Sequence, residues 1–141
     1  MIDQEIIESR FDIIEENMKY LQKVQKVEYF SFAENFEKIQ AVKHSLQECI
    51  EACIDVANHL ISALILQRAD TYTEMFLILS QNEIISHELA KKLAEMAKFR
   101  NLLVHRYADI DTKRLYNILQ RELTDIQAFM REISRYLDNK T

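Results

Sequence analysis

Apolar residues recur at helical spacing along most of the chain. A first stripe, within residues 2–27, is formed by Ile6, Ile7, Ile13, Ile14, Tyr20, Leu21 and Val27. A second stripe continues to about residue 67 and is formed by Phe32, Phe36, Ile39, Leu46, Ile50, Cys53, Ala57, Leu60 and Leu64. Because residues three or four apart lie on one face of a helix, each stripe predicts one amphipathic helix. The second helix would be ~55 Å long at about 1.5 Å per residue.

The second half of the chain contains shorter stripes. Residues 74–80 suit a short helix that follows the polar break at residues 68–73. A longer stripe comes next and is formed by Ile85, Leu89, Leu93, Met96, Phe99 and Leu103. A last helix is predicted over residues 112–137, with apolar positions at Leu115, Ile118, Leu119, Ile126, Phe129, Ile133 and Leu137.

Residues that favour helix N-caps precede these stripes. Ser31 and Glu34 have the Ser-x-x-Glu spacing of a capping box, which predicts that the second helix begins at Ser31. The other predicted caps are Thr71 before the short helix, Asn82 or Ser86 before the next one, and the Asp109–Thr112 turn before the last.

Glycine and proline, the residues that most often interrupt helices, are both absent. Their absence favours long helices with short polar connections. The sequence therefore predicts an all-α fold, an antiparallel up-and-down bundle of four main helices and one short helix. The 141 residues contain no linker and no repeat, which indicates a single domain over residues 1–141.

Composition narrows the classes of protein to consider. No apolar run approaches the ~20 residues of a membrane-spanning helix, and the acidic N-terminus is unlike a secretory signal, so we expect a cytoplasmic protein outside the membrane. Cys49 and Cys53 lie four residues apart in the second stripe, where we expect reduced core side chains. The formal net charge is −5, but residues 91–114 carry +4. This balance excludes a general nucleic-acid coat and is compatible with a local phosphate site.

Asp55 and His59 are one helical turn apart in the second stripe. Two interpretations remain open: a satisfied polar pair inside the bundle, or support for a nearby site or interface, because a carboxylate orients an imidazole. A carboxylate-bridged di-metal bundle would need Glu-x-x-His pairs, and no Glu has a His three residues later. We therefore expect no metal.

Polar chemistry is concentrated in residues 99–107, FRNLLVHRY. Arg100 offers a permanently charged fork for phosphate, and His105 can transfer protons near neutral pH. Together they supply what metal-free RNA cleavage needs. The imidazole can move protons between the 2′-hydroxyl and the leaving oxygen, and the guanidinium can stabilise the crowded phosphorus centre. Lys98 and Arg106 are candidate contacts to RNA phosphates. A polar cap of the bundle is the structural alternative for this segment.

Helical geometry separates the two main candidates. Arg100 and His105 are five residues apart, which places them about 140° apart around a helix. Asn101 and His105 share one face, and Arg100 and Tyr107 share another. One copy therefore need not form a site alone, and a symmetric dimer would bring two copies of the segment into one cleft.

The pattern Arg100-x4-His105-x-Tyr107 resembles the motif of HEPN-domain proteins. It is most similar to the HepT toxins, which are encoded beside a minimal nucleotidyltransferase antitoxin. The Phe99-Arg100-Asn101 phrase before the motif and the stretch CIDVANHL at residues 53–60 resemble the family as well. Length, architecture and motif position agree, so the resemblance covers nearly the whole chain.

The resemblance implies a fold, an activity and a form of regulation. It implies a dimerising up-and-down bundle whose two motifs meet in an interface cleft, and a metal-independent endoribonuclease. Arg100 would stabilise the scissile phosphate, His105 would be the general acid and base, and Asn101 would orient the site. The antitoxin would transfer AMP from ATP to Tyr107 and so obstruct RNA, and the toxin itself would need no cofactor.

Two other functions remain open at the level of sequence. HEPN-like bundles also resemble non-catalytic, substrate-binding partners of nucleotidyltransferases, in which Arg100 and Lys98 would hold a nucleotide phosphate. A purely structural helical adaptor would use the polar segment only to close the bundle. RNA cleavage would identify the ribonuclease, and nucleotide binding without cleavage would identify the binding partner. Activity that is unchanged after substitution of His105 would identify the structural adaptor.

Overall fold

Seven α-helices and one 3-10 turn account for most of residues 1–140, which are the residues described by the structure, a computed structural model. In chain order they are α1 (Gln4–Gln25), α2 (Tyr29–Ala33), α3 (Phe36–Ala63), α4 (Tyr72–Gln81), α5 (His87–His105), the 3-10 turn (Tyr107–Asp109), α6 (Thr112–Arg121) and α7 (Leu123–Lys140). No strand occurs within residues 1–140, and the predicted all-α bundle is confirmed. None of the helices in this part of the chain is both long and apolar enough to cross a membrane.

The long helices run antiparallel to their neighbours. Arg10 of α1 pairs with Asp55 of α3 at 3.0 Å, and the Cys49 thiol of α3 donates to the Ile14 carbonyl of α1 at 3.8 Å. Early residues of one helix therefore meet late residues of the other. α3 is likewise antiparallel to α5 and the turn after it, through the pairs Glu51–Arg100 and Lys43–Tyr107. α5 is antiparallel to α7, through the pairs Ser86–Glu132 and Lys92–Asp125.

One continuous apolar core lies between these helices and is built from the predicted stripes. Its largest fully buried side chains include Phe32, Phe76 and Phe129. Cys49 and Cys53 are buried free thiols, which confirms their prediction as core residues. Burial raises the pKa of Cys49 to about 12 and raises that of Cys53 well above its ordinary value. Both thiols are therefore packing groups rather than nucleophiles.

The second long helix begins later than predicted. Ser31 lies inside the short α2, where its backbone N–H donates to Glu28 Oε1 at 2.7 Å. α3 starts after Asn35, whose side-chain oxygen accepts from the Lys38 N–H at 2.9 Å. The prediction of one helix from Ser31 was wrong because α2 is held apart by tertiary packing: Phe32 is fully buried and packs on the Tyr116 ring at 5.3 Å.

The end of α3 contains an unusual backbone conformation. Ile65 has φ 53°, a left-handed value that β-branched residues adopt at a cost in energy. The Leu66 N–H donates back to the Ile61 carbonyl at 2.9 Å, which is the bond that closes a Schellman turn. The Ile65 side chain is 90% exposed and gains little burial in return.

The predicted last helix is interrupted at Glu122 and forms α6 and α7. At this junction the Leu119 carbonyl accepts from the Gln25 amide at 2.8 Å, and the Gln120 amide donates to the Gln25 carbonyl at 2.8 Å. One carbonyl and one side-chain amide near the end of α6 are thus engaged by Gln25 of α1. This long-range contact accompanies a break that local apolar spacing did not indicate. The other predicted N-caps are confirmed: Thr71, Ser86 and, in the Asp109–Thr112 turn, Asp111.

Candidate functional site

The predicted site residues lie at the C-terminal end of α5. The Ser86 hydroxyl caps the start of α5. The buried face of α5 includes Leu93, Phe99 and Leu103. Because that face is fixed in the core, the opposite face is presented outward. His105 is the last residue of α5, and the 3-10 turn begins at Tyr107, one residue after the C-cap Arg106.

Arg100 faces α3 rather than solvent. Its Nη2 and Nε donate to Glu51 Oε2 at 2.8 and 3.2 Å, and only 16% of its side chain is exposed. Glu51 is in turn held from its own helix, because the Gln47 amide donates to Glu51 Oε1 at 3.3 Å. Two charge-assisted bonds to one carboxylate fix the guanidinium strongly. Arg100 is therefore a pre-oriented cation whose charge is partly balanced by Glu51.

The α4 helix supplies a second support for Arg100. The guanidinium carbon lies 5.0 Å from the centroid of the Tyr72 ring, in cation–π geometry. Tyr72 is the first residue of α4 and also lines an open hollow of about 350 Å³ together with Thr71, Met75 and Asn101. This hollow lies beside the motif and offers space next to the Asn101 side chain.

Asn101 connects Arg100 to the exposed face of α5. Arg100 Nη1 donates to Asn101 Oδ1 at 3.3 Å. Lys98, Asn101 and His105 are all exposed and lie within about one sixth of the helix circumference. Val104, beside them, is 39% exposed. In one copy of the chain, therefore, Arg100 faces α3 while His105 faces outward, as the spacing predicted.

Tyr107 lies against α3. Its hydroxyl donates to the Gln40 carbonyl at 3.5 Å, and Lys43 Nζ donates to the Tyr107 carbonyl at 3.2 Å. The Lys43 ammonium also lies 4.4 Å from the centroid of the Tyr107 ring. Burial raises the pKa of the Tyr107 phenol and lowers that of Lys43.

The two predicted phosphate contacts, Lys98 and Arg106, are exposed at the surface. Lys98 Nζ pairs with Glu95 at 3.1 Å, and Arg106 Nε pairs with Asp109 at 2.8 Å. Exposed pairs of this kind are weak and exchange readily with solvent or another anion. Lys98 precedes the motif and Arg106 lies within it, and the ammonium and guanidinium groups are both accessible from solvent.

Asp55 and His59 are not brought to the motif within one copy of the chain. Asp55 Oδ2 accepts from Arg10 of α1, and His59 Nε2 accepts from the backbone N–H of Asp3, the N-cap of α1, at 2.9 Å. Both residues thus fasten the start of the chain to α3. These contacts favour the first of the two interpretations, a satisfied polar pair of the bundle. Among residues 1–140, no group of three or more His, Cys, Asp and Glu side chains could hold a metal ion.

Three residues around the motif were not identified from the sequence: Lys43, Glu51 and Tyr72. Lys43 did carry a signal, because it lies four residues after Ile39 and three before Leu46, on the apolar stripe itself. Glu51 and Tyr72 carried none. Their roles depend on how α3 and α4 pack against α5, which apolar spacing does not specify.

Residues 4–133 match the family model Ribonuclease HepT-like. The chain therefore belongs to the HepT-like ribonuclease family. This match confirms the predicted resemblance to HEPN and HepT proteins, and it confirms a ribonuclease as the class of enzyme.

Two curated relatives are HepT nucleases. The chain is 31% identical over 136 residues to the tRNA nuclease HepT of Aphanizomenon flos-aquae, covering 96% of this chain and 92% of that protein. It is 32% identical over 99 residues to the mRNA nuclease HepT of Shewanella oneidensis, covering 70% and 74% of the two.

Solved structures of toxin–antitoxin complexes have the same fold. A tri-AMPylated HEPN toxin of Shewanella oneidensis, in complex with an MNT antitoxin, superposes with a TM-score of 0.85 at 30% identity, covering 92% of this chain and 97% of that one. A toxin–antitoxin structure with AMP-PNP superposes with a TM-score of 0.86 at 29% identity, covering 93% and 98%.

Proposed function

We propose that this chain is the ribonuclease toxin of a toxin–antitoxin pair, that it acts in the cytoplasm as a homodimer, and that AMP transfer to Tyr107 silences it. One observation carries the proposal: hydrogen bonds to Glu51 and to Asn101 hold the guanidinium of Arg100 in place. Asn101 lies one helical turn before the exposed His105. The HepT relatives that act on tRNA and on mRNA support RNA as the substrate.

In the proposed reaction, His105 and Arg100 act on one RNA phosphodiester. The imidazole accepts the proton of the 2′-hydroxyl, whose oxygen attacks phosphorus, and an imidazolium donates a proton to the departing 5′-oxygen. The Arg100 guanidinium stabilises the negative charge that accumulates on the phosphoryl oxygens. These two groups supply proton transfer and charge stabilisation themselves, so the mechanism is metal-independent.

A second copy of the chain completes the proposed site. Within one copy Arg100 and His105 face directions about 140° apart. The outward face of α5 combines Lys98, Asn101 and His105 with the half-exposed Val104, a mixture suited to an interface that also contacts RNA. A two-fold axis near this face would align two motifs along one cleft.

In the proposed regulation, the Tyr107 oxygen attacks the α-phosphorus of ATP bound by the antitoxin. The new O–P bond forms as the bond to the bridging oxygen breaks, pyrophosphate leaves, and the phenolic proton passes to water. The attached AMP adds negative charge beside Arg106 and Lys43, where it repels RNA phosphates. The tri-AMPylated relative supports this modification.

The test combines growth, RNA cleavage and intact mass. Expression of the wild type should arrest growth, and His105→Ala should restore growth and lower RNA cleavage by about 10²- to 10⁴-fold. Lys91→Ala, an exposed position on the same helix, is the matched control and should remain toxic. Cleavage should persist in EDTA.

Absence of cleavage by the folded wild type, with tight binding of ATP or AMP in calorimetric titrations, would instead establish the non-catalytic nucleotide-binding module. Cleavage that is unchanged in both His105→Ala and Arg100→Ala would remove the motif from the mechanism.

A further inference from the structure

Lys43 is a buried lysine that the proposed RNA cleavage does not use. Only 7% of it is exposed, and it lies on the apolar stripe in the first third of α3. Lysines are almost never buried this fully unless a partner compensates the charge. Both contacts described for its ammonium are to one residue, Tyr107: the backbone carbonyl at 3.2 Å and the ring face at 4.4 Å.

These contacts fix the Tyr107 ring relative to α3. The hydrogen bond holds the first residue of the 3-10 turn, and the cation–π contact holds the face of the ring. The hydroxyl, at the far edge of the same ring, is directed at the Gln40 carbonyl one turn earlier on α3. The carbonyl, the ring and the hydroxyl of Tyr107 are therefore all positioned by α3, and Lys43 positions the first two.

We propose that Lys43 is the positioning residue for AMP transfer to Tyr107. The inference deepens the proposed function and depends on Tyr107 being the acceptor. A fixed ring presents its oxygen to the α-phosphorus in few orientations, which lowers the entropic part of the barrier. The ammonium over the ring also stabilises the negative charge that develops on the phenolic oxygen as it loses its proton.

The same lysine is placed to receive the product. An AMP ester of Tyr107 has no hydroxyl proton and can no longer donate to the Gln40 carbonyl. The phosphodiester brings a negative charge to the edge of the ring whose face the buried ammonium covers, and the contacts described for that ammonium are to a neutral carbonyl and the ring. Burial already disfavours the charged form of Lys43, so an anion beside it is stabilising.

The experiment measures AMP transfer to the full-length chain by its cognate nucleotidyltransferase with ATP, using intact mass over time. Lys43→Met should lower kcat about 10- to 100-fold and leave KM for ATP unchanged, because ATP is held by the transferase. Lys43→Arg keeps the cation and should recover to within a few-fold of wild type. Lys38→Met, on the same helix and partly exposed, is the control and should react normally.

The outcomes separate the inference from the function on which it depends. Equal rates for wild type and Lys43→Met would overturn the role of Lys43 and leave Tyr107 as the acceptor. A wild type without any mass gain on Tyr107 would overturn the proposed regulation and this inference together. If Lys43→Met does not fold, Lys43→Arg and Lys43→Gln decide the point, because a purely structural lysine would give the same kcat in both folded variants.

Discussion

Glu51 and Arg100 join the middle of α3 to the motif helix, with 2.8 Å between Glu51 Oε2 and Arg100 Nη2. The pair orients the guanidinium and leaves Nη1 directed toward Asn101. In the proposed reaction, a phosphate that approaches along Asn101 would therefore meet a guanidinium whose orientation is already set.

Glu51→Ala should lower the rate of RNA cleavage about 10-fold, because Arg100 then loses its fixed orientation while its charge remains. Glu51→Gln keeps an acceptor oxygen and should retain most of the rate. Single-turnover cleavage of a labelled RNA measures both. Glu48→Gln, three residues earlier on α3, is the control, and a rate for Glu51→Ala equal to that of wild type would contradict the positioning role.

Ile65→Gly should stabilise the chain, by about 1 kcal/mol, because glycine adopts φ 53° without the steric cost that Ile65 incurs. The exposed side chain contributes little packing that the substitution would remove. Chemical denaturation followed by circular dichroism measures the change in the free energy of unfolding. Ser62→Gly, two residues before the α3 C-cap, should instead lower the free energy of unfolding. Destabilisation by both substitutions would show that the Ile65 side chain makes stabilising contacts beyond the turn.

Glu122→Gln should raise Tm at pH 7 by up to about 3 °C. Burial first, and then the neighbouring Asp125, raise the pKa of Glu122 above its ordinary 4.5, so the folded chain holds this proton more tightly than the unfolded chain does. The charged form consequently costs stability at neutral pH, and this cost disappears as pH falls through the raised pKa toward 4.5.

The measurement is the difference in Tm between Glu122→Gln and wild type from pH 7 to pH 4.5. The difference should shrink as the wild-type carboxyl gains its proton. Glu8→Gln, on the exposed face of α1, supplies the control. A difference that grows on acidification would reverse the assigned direction.

Much of the fold followed from apolar spacing alone. The stripes of α1, α3 and α5 each carry a strong helical period, and the caps at Thr71 and Ser86 are local signals that tertiary packing did not override. Ser31 had an equally good local signal. The prediction that the long helix begins at Ser31 failed because Phe32 is buried against Tyr116, a residue far along the chain.

The motif was visible in the sequence, whereas its surroundings were not. Arg100, His105 and Tyr107 are close together in the chain, so spacing gave their relative directions. The groups that set their chemical environment come from α3 and α4. For Glu51 and Tyr72, the contact to Arg100 exists only because two helices distant in sequence pack on α5.

The dimeric cleft that we propose from the opposed directions of Arg100 and His105 has a consequence for dosage in the cell. A cleft assembled from two copies forms in proportion to the square of the monomer concentration while the protein is scarce. When modification is random, the share of clefts with two unmodified tyrosines likewise follows the square of the unmodified fraction. Partial AMPylation would then reduce RNA cleavage more than proportionally, and fresh, unmodified chains would restore it as the square of their fraction.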